Sequence, residues 1–236
     1  MKILSITTSS KICGVAILED LKIIKEINLN NGLTHSEALM PLINQVLKET
    51  NLTISSIDLL VCDIGPGSFT GIRIGISTVK AFVDALNIPA IGVNSLDGLT
   101  YNVITTTGVI CSLIDAKKNN VYCEIFENII NSKFSHIVRR NASFENIQDL
   151  LLDIKNQNLD YPITFVGDGA VIYKDIILKY LPNAIFLDNN DLSASKIGYA
   201  GFYNYTNEIF QNVMPLYLRK SEAEKKMEEK NQNESK

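Results

Sequence analysis

Three strand patterns open the chain in direct succession, Ile3–Thr8, Ile12–Leu18 and Leu21–Leu29, before any helical period appears. Glu19-Asp20 supplies the turn between the last two, so the three read as a meander. A helix follows over Thr34–Lys48, with Thr34 as N-cap, Glu37 three residues on, and Leu33 placed to staple against Ala38. Its Leu39, Leu42, Ile43, Val46 and Leu47 fall on one stripe, and Pro41 should kink it by removing a helical hydrogen bond. A buried-type strand, Ile57–Ile64, then enters a glycine-rich loop and a second helix, Ser68–Leu86, striped by Ile72, Ile76, Val79, Val83 and Leu86. Ile88–Val93 is the next strand. This order suggests a mixed α/β sheet, in which a meander joins parallel strands through helical crossovers.

That order matches a ribonuclease-H-like or actin-like (ASKHA) lobe, and the remaining chain is long enough for a second one. A helix over Leu96–Ile104 leads to a hairpin of Val109–Ile114 and Val121–Phe126 around Asp115–Asn120. Helical patterns over Phe144–Asn156 and Ala170–Tyr180 flank the strand Ile163–Val166, and Ser193-Ala194-Ser195 caps a further helix to about Thr206. The expected architecture is therefore two-lobed and actin-like, with mixed sheets. Residues 1–104 form the N-terminal lobe, 105–192 a smaller second lobe, and 193–219 a C-terminal helix and segment packing back near the first. Residues 220–236, almost all charged or amide, are expected to be a disordered tail.

With 46% hydrophobic residues among 236, the chain can bury a sizeable core. Its formal net charge of −4 argues against gripping a phosphate backbone unaided, because such binding rests on many Lys and Arg contacts. No stretch resembles a signal peptide or approaches a membrane span, so a cytoplasmic protein without membrane attachment is expected. Cys13, Cys62, Cys111 and Cys123 sit in apolar strand-like segments without a C-x-x-C pair, and read as reduced core thiols. His35 and His136 are too far apart for any local two-histidine metal motif, so no intrinsic metal site is expected. His35, in the first turn of its helix, reads as a solvated or interface side chain.

The loop Gly65-Pro66-Gly67-Ser68-Phe69-Thr70-Gly71-Ile72-Arg73-Ile74-Gly75 fails the P-loop, nucleophile-elbow and dinucleotide templates on the placement of its glycines. What remains is a strand-to-helix turn whose N–H groups can face an anion, or a tight turn with close packing. Gly71 and Gly75, four apart in a helix, favour the second, since each costs about 1 kcal/mol against alanine unless another backbone approaches. A trough at Gly71 and Gly75, flanked by Arg73 and approached by residues near Met40, would admit a partner helix. On that reading Gly75→Leu should weaken association and leave the monomer folded. Asp63, Asp115 and Asp168 each end or follow a strand, as acids that hold magnesium do in actin-like ATPases, but Thr7 stands where the first strand of that superfamily carries aspartate. An ATP or ADP, if bound, would be met by Thr7, Ser9, Gly67, Ser68 and Asp168.

The Gly65–Gly75 segment, with Ile88-Pro89 and Ser95-Leu96, resembles the hallmark of the TsaB (YeaZ-type) family. Supporting matches are His35-Ser36-Glu37 with Met40-Pro41, Leu113-Ile114-Asp115-Ala116 with Val121-Tyr122, Gly167-Asp168-Gly169-Ala170, and Pro215-Leu216-Tyr217-Leu218-Arg219. Thr7 departs from an acid common in the family, and Lys117 from its usual arginine. The resemblance implies a non-catalytic scaffold subunit of the complex that makes threonylcarbamoyladenosine at adenosine 37 of tRNAs reading codons that begin with A. It implies a metal-bearing catalytic paralogue, TsaD, as partner, a TsaE ATPase joining them, a homodimer when alone, and tRNA held indirectly. The interface residues would be His35, Met40, Gly71, Arg73 and Gly75, with no catalytic residue and no intrinsic cofactor in this chain. Two other readings stand beside it: an actin-like ATPase or kinase, and a peptidase, for which no paired nucleophile and base is identifiable.

Overall fold

The computed structural model describes residues 1–103, 108–129, 135–157, 162–188 and 190–220. Strand β1 (Lys2–Thr7) pairs antiparallel with β2 (Cys13–Glu19), which pairs antiparallel with β3 (Lys22–Leu29). On its other side β1 runs parallel to β4 (Leu59–Asp63), and β4 parallel to β5 (Ala90–Val93), giving the order β3-β2-β1-β4-β5. Helices α1 (His35–Glu49) and α2 (Phe69–Leu86) lay the expected stripes on Leu4, Ile6, Val15, Ile17, Leu60 and Cys62, except that Leu86, at the end of α2, is exposed. The opposite face, with Ile3, Ala16, Leu18, Leu59 and Val61, is covered by α7 (Ala194–Thr206), which returns from near the end of the chain and carries α3 (Ser95–Thr100) against it. Cover on both faces is why β1, β2 and β4 read as almost unbroken apolar runs.

The second sheet contains β6 (Gly108–Asp115), β7 (Asn120–Ile129), β8 (Ser135–Asn146), β9 (Ile163–Val166) and β10 (Ile185–Phe186) in the order β10-β9-β6-β7-β8. Numbered from its own first strand, this is the order of the first sheet, so the lobes share one topology. Helices α4 (Ile147–Asn156), α5 (Asp168–Ile172) and α6 (Lys174–Tyr180) cover one face through Leu150, Leu151, Ile154, Ala170 and Ile177. Helix α3 packs on β6 and β7 as well as on α7, so it lies in the seam between the lobes. The four cysteines are free and buried, and burial pushes the Cys13 thiol up to about 11. Among the described residues no helix is long and apolar enough to cross a membrane.

Several boundaries differ from the sequence reading. Edge strands β8 and β10 carry no clear alternation: β8 exposes Ile137 and Val138 and holds Arg139 and Arg140, while β10 is two residues long. Phe144, read as the start of a helix, sits on β8 opposite Tyr122, and α4 begins only after Asn146, whose side chain accepts the Gln148 N–H at 2.9 Å. The helix expected over Ala170–Tyr180 breaks at Tyr173, whose hydroxyl is drawn to Asp115. The helix expected to reach Ile104 ends at Thr100, and Ile104 lies outside the described residues. So does the tail expected over 220–236, apart from Lys220. Helix α1 runs through Pro41 without interruption: Pro41 and Glu37 are both exposed, so the carbonyl deprived of its donor lies on the solvent side. Its first turn is closed by the Glu37 carboxylate, which accepts the Thr34 N–H, whereas Leu33 remains 54% exposed and does not staple.

Candidate functional site

Parallel pairing of β1 with β4 sets Ile6 beside Cys62, and so brings the ends of both strands together at Thr7 and Asp63. Asp63 is fully buried. Its Oδ2 accepts the Thr7 hydroxyl at 2.6 Å and the Ser9 hydroxyl at 2.5 Å, while Oδ1 accepts the Ser95 hydroxyl at 2.5 Å and the Gly65 N–H at 3.0 Å. Burial holds the carboxyl above its ordinary range, and the hydrogen bonds from Ser9, Ser95, Thr7 and Gly65 pull it back. Three hydroxyls from two segments, the end of β1 with its following loop and the start of α3, thus converge on one acid. Ser95→Ala removes one of them and should cost ~1–2 kcal/mol in urea denaturation. An unchanged midpoint would show that Ser95 contributes nothing to the cluster.

The turn after β4 is closed in the same way. The Ser68 N–H donates to the Ser9 carbonyl at 2.7 Å, and the Ser68 hydroxyl caps α2 by accepting the Gly71 N–H at 3.2 Å. Side chains added at the glycines would collide with the loop after β1: a Cβ at Gly67 lies 2.2 Å from the Ser9 carbonyl oxygen, and one at Gly71 lies 1.9 Å from that of Thr8. At Gly75 the obstacle is the Thr8 hydroxyl, 2.5 Å away, and that hydroxyl donates to the Gly71 carbonyl. The backbone that the glycine pair admits is therefore the chain's own Thr8-Ser9, not a second helix. Both glycines are buried, so the trough proposed for a partner is already filled, and Gly75→Leu would disturb the monomer itself. His35, expected to be solvated or at an interface, is half-buried and pins the same loop, donating from Nε2 to the Ser10 carbonyl at 2.9 Å. Its Nδ1 is buried without a hydrogen-bond partner.

A nucleotide phosphate does not fit this turn as it stands. Thr7 and Ser9 are buried and donate to Asp63, and the Gly67 position is pressed against Ser9. Asp168 lies in the other lobe, where its Oδ1 accepts the Asp115 N–H at 3.0 Å. Desolvation, then the neighbouring Asp115 charge, raise the Asp168 carboxyl above its usual range, opposed by hydrogen bonds from the Asp115 and Gly169 backbones. Asp115 in turn accepts the Lys117 ammonium at 2.6 Å, the Lys117 N–H at 2.9 Å and the Tyr173 hydroxyl at 2.9 Å. Lys117, Lys118 and Asn119 all adopt left-handed backbone, with φ of 69°, 54° and 58°. The five residues expected around a nucleotide are thus divided between two clusters on two sheets.

Residues 30–227 match the family model "TsaD: tRNA N6-adenosine threonylcarbamoyltransferase". The chain is 27% identical to the tRNA threonylcarbamoyladenosine biosynthesis protein TsaB of Bacillus subtilis, over 96% of this chain and 97% of that one. Its fold matches YeaZ from Pseudomonas aeruginosa at a TM-score of 0.73 and 20% identity, covering 92% of this chain and 99% of that one. The chain belongs to this family as a TsaB (YeaZ-type) member. A more distant likeness, TM-score 0.51 at 9% identity over 88% of this chain and 99% of the other, is to the polyphosphate/ATP-glucomannokinase of an Arthrobacter species, and it marks the fold as two-lobed and actin-like.

On this TsaB-type chain the outer surfaces of α1 and α2 carry the remaining residues named from sequence. Met40 is 43% exposed on α1. Arg73 is exposed on α2, but its Nε donates to the Tyr217 hydroxyl at 2.7 Å, a contact within the chain. Sequence reasoning noted Ser95 and Tyr217 only as parts of motifs and passed over Glu124, which is buried in the seam and accepts from the Asn94 side chain. The signal for Glu124 was present: it is a carboxylate in the apolar strand Val121–Phe126, where a charge demands an explanation.

Proposed function

We propose that this TsaB-type chain acts in tRNA threonylcarbamoyladenosine biosynthesis as a non-catalytic scaffold that binds a TsaD-type paralogue. It supports recruitment of a TsaE-type ATPase, pairs with itself when alone, and meets tRNA only through the complex. The observation that carries this reading is the closure of the first-lobe turn: Thr7, Ser9 and Ser95 all donate to Asp63, and Thr8-Ser9 fills the glycine side of α2. Hydroxyls turned inward on Asp63 in this manner are not presented to a phosphate, which disfavours the ATPase and kinase readings. The peptidase reading fares no better, because Ser9 and Ser95 donate to Asp63 while His35 reaches the Ser10 carbonyl. The side chain of His136 lies outside the described residues.

The contact surface on this reading is the exposed outer face of α1 and α2, including Met40, with the glycines acting from beneath by seating α2 on Thr8. Threonylcarbamoyl transfer to tRNA should require this chain in a mixture with TsaD-type and TsaE-type proteins, and should be absent with the chain alone. Met40→Asp should weaken sedimentation with the TsaD-type protein by about tenfold or more, as expected when a charge is forced into a desolvated contact. Transfer by the isolated chain, or steady ATP turnover by it, would overturn the proposal.

A further inference from the structure

The segment after α7 crosses from one lobe to the other, touching β5, the end of β4 and α2 before it reaches the second lobe. It begins on the open edge of the first sheet, where the Gly92 N–H donates to the Gln211 carbonyl at 2.8 Å, and continues past β4, where the Leu216 N–H donates to Ile64 at 2.9 Å. Tyr217 then stacks on Phe69 of α2, with ring centroids 4.7 Å apart and planes inclined by 19°, and its hydroxyl accepts from Arg73. Two residues later Arg219 reaches the second lobe. Its guanidinium carbon lies 6.0 Å from the Phe69 ring in the first lobe, and 5.9 and 5.8 Å from Tyr122 and Phe144 in the second. Its Nη1 donates to the Ala116 carbonyl at 3.4 Å.

Ala116 opens the turn that carries the three left-handed residues Lys117, Lys118 and Asn119. A non-glycine residue in that conformation costs about 1 kcal/mol or more, so three in succession persist only where neighbouring groups hold them. The groups on the second lobe are the Asn120 amide, which donates to the Lys117 and Lys118 carbonyls, the Ile147 N–H, which donates to Asn119, and Asp115 beneath Lys117. From the C-terminal segment, Arg219 holds the Ala116 carbonyl and Leu218 packs against the cluster of Ala116 and Tyr122, and a turn under such tension responds to the loss of a single restraint.

We propose that Tyr217–Arg219 is a strap that couples the outer face of α2 to the strained Ala116–Asn120 turn of the other lobe, with Arg219 as its positioning residue. A group that takes hold of Arg73 on α2 withdraws the donor from Tyr217, loosens the stack on Phe69 and slackens the hold on Ala116. This part rests on the reading that a partner occupies the α1 and α2 face; the strap itself does not.

Hydrogen–deuterium exchange of the full chain separates the two. Arg219→Ala should accelerate exchange at Ala116–Asn120 by about fivefold or more, since a restrained turn is released by local opening. Arg73→Ala, altered on the first lobe only, should accelerate the same amides, and Tyr217→Phe should do so while keeping the ring stack and the fold. Lys80→Ala, on an exposed position of the same helix, should have no effect there. Unchanged exchange at Ala116–Asn120 in Arg219→Ala, or acceleration in Arg219→Ala without any in Arg73→Ala and Tyr217→Phe, would overturn the strap. With the TsaD-type protein added, exchange at the turn should change in the parent chain and not in Arg219→Ala. Failure to form a complex would count against the proposed function and leave the strap results standing, whereas a complex that leaves the parent turn unaltered would overturn the coupling to a partner.

Discussion

Alanine at position 71 should destabilise the fold by about 3 kcal/mol or more, the upper end of what overpacking costs, although the substitution adds a single methyl group. The added Cβ would lie 1.9 Å from the Thr8 carbonyl oxygen and 3.0 Å from the His35 ring. Main chain cannot swing aside as a flexible side chain can. Relief would mean moving the loop after β1, and with it the Thr8 hydroxyl that bonds Gly71, the Ser9 hydroxyl on Asp63 and the Ser9 carbonyl on Ser68. Urea denaturation followed by circular dichroism measures the loss. Gly71→Ala within 1 kcal/mol of the parent, a margin ordinary for surface changes, would show that the loop yields easily and that the turn is not sealed as described.

Glutamine in place of Glu124 should leave stability nearly unchanged near pH 4 and raise it by about 3 kcal/mol at pH 8, since the carboxyl rises from 4.5 to about 7 and each unit of pKa shift is worth ~1.4 kcal/mol. Glu124 is 6% exposed in the seam between the lobes, and burial, followed by the charge of Asp97, raises its carboxyl to about 7, against opposing hydrogen bonds from Asn94 and the Ala142 backbone. The folded chain thus keeps a proton that the unfolded chain has already released above the ordinary glutamate value of 4.5. Stability associated with this group is present at low pH, falls as pH rises toward 7, and levels off beyond it. Glutamine mimics the protonated acid at every pH. Parallel stability profiles for the two proteins between pH 5 and 8 would show that Glu124 titrates as an ordinary surface acid.

The interior of each sheet was legible because strands covered on both faces leave long apolar runs, and α1 and α2 because each buries one stripe. Edge strands β8 and β10 were not, since a strand with one covered face and a polar rim has little periodicity to read. The glycine pair announced close approach correctly, but spacing within a helix does not say whose backbone arrives. Thr8 reaches Gly71 across 63 positions, a pairing that exists only once β1 lies beside β4. Asp63 was readable as a strand-end acid. Its engagement by Thr7, Ser9 and Ser95 was not, because hydroxyls from segments more than 80 positions apart leave no spacing signature. For the same reason the motif ending in Arg219 could be matched to a family while its reach across the seam stayed hidden.

The position of α7 has a consequence for how the chain is born. Ile197 and Ala200 cover Leu18, Leu59 and Val61, so one face of the first sheet is completed by residues near the opposite terminus. Synthesis at roughly 5–20 residues per second places Thr206 on the order of ten seconds behind Val103. Throughout that interval the emerging N-terminal lobe presents an uncovered apolar sheet face, which nascent-chain chaperones would recognise. A fragment ending at Val103 would keep that face permanently bare and should precipitate where the whole chain stays in solution, so the lobe is a unit of architecture but not of autonomous folding.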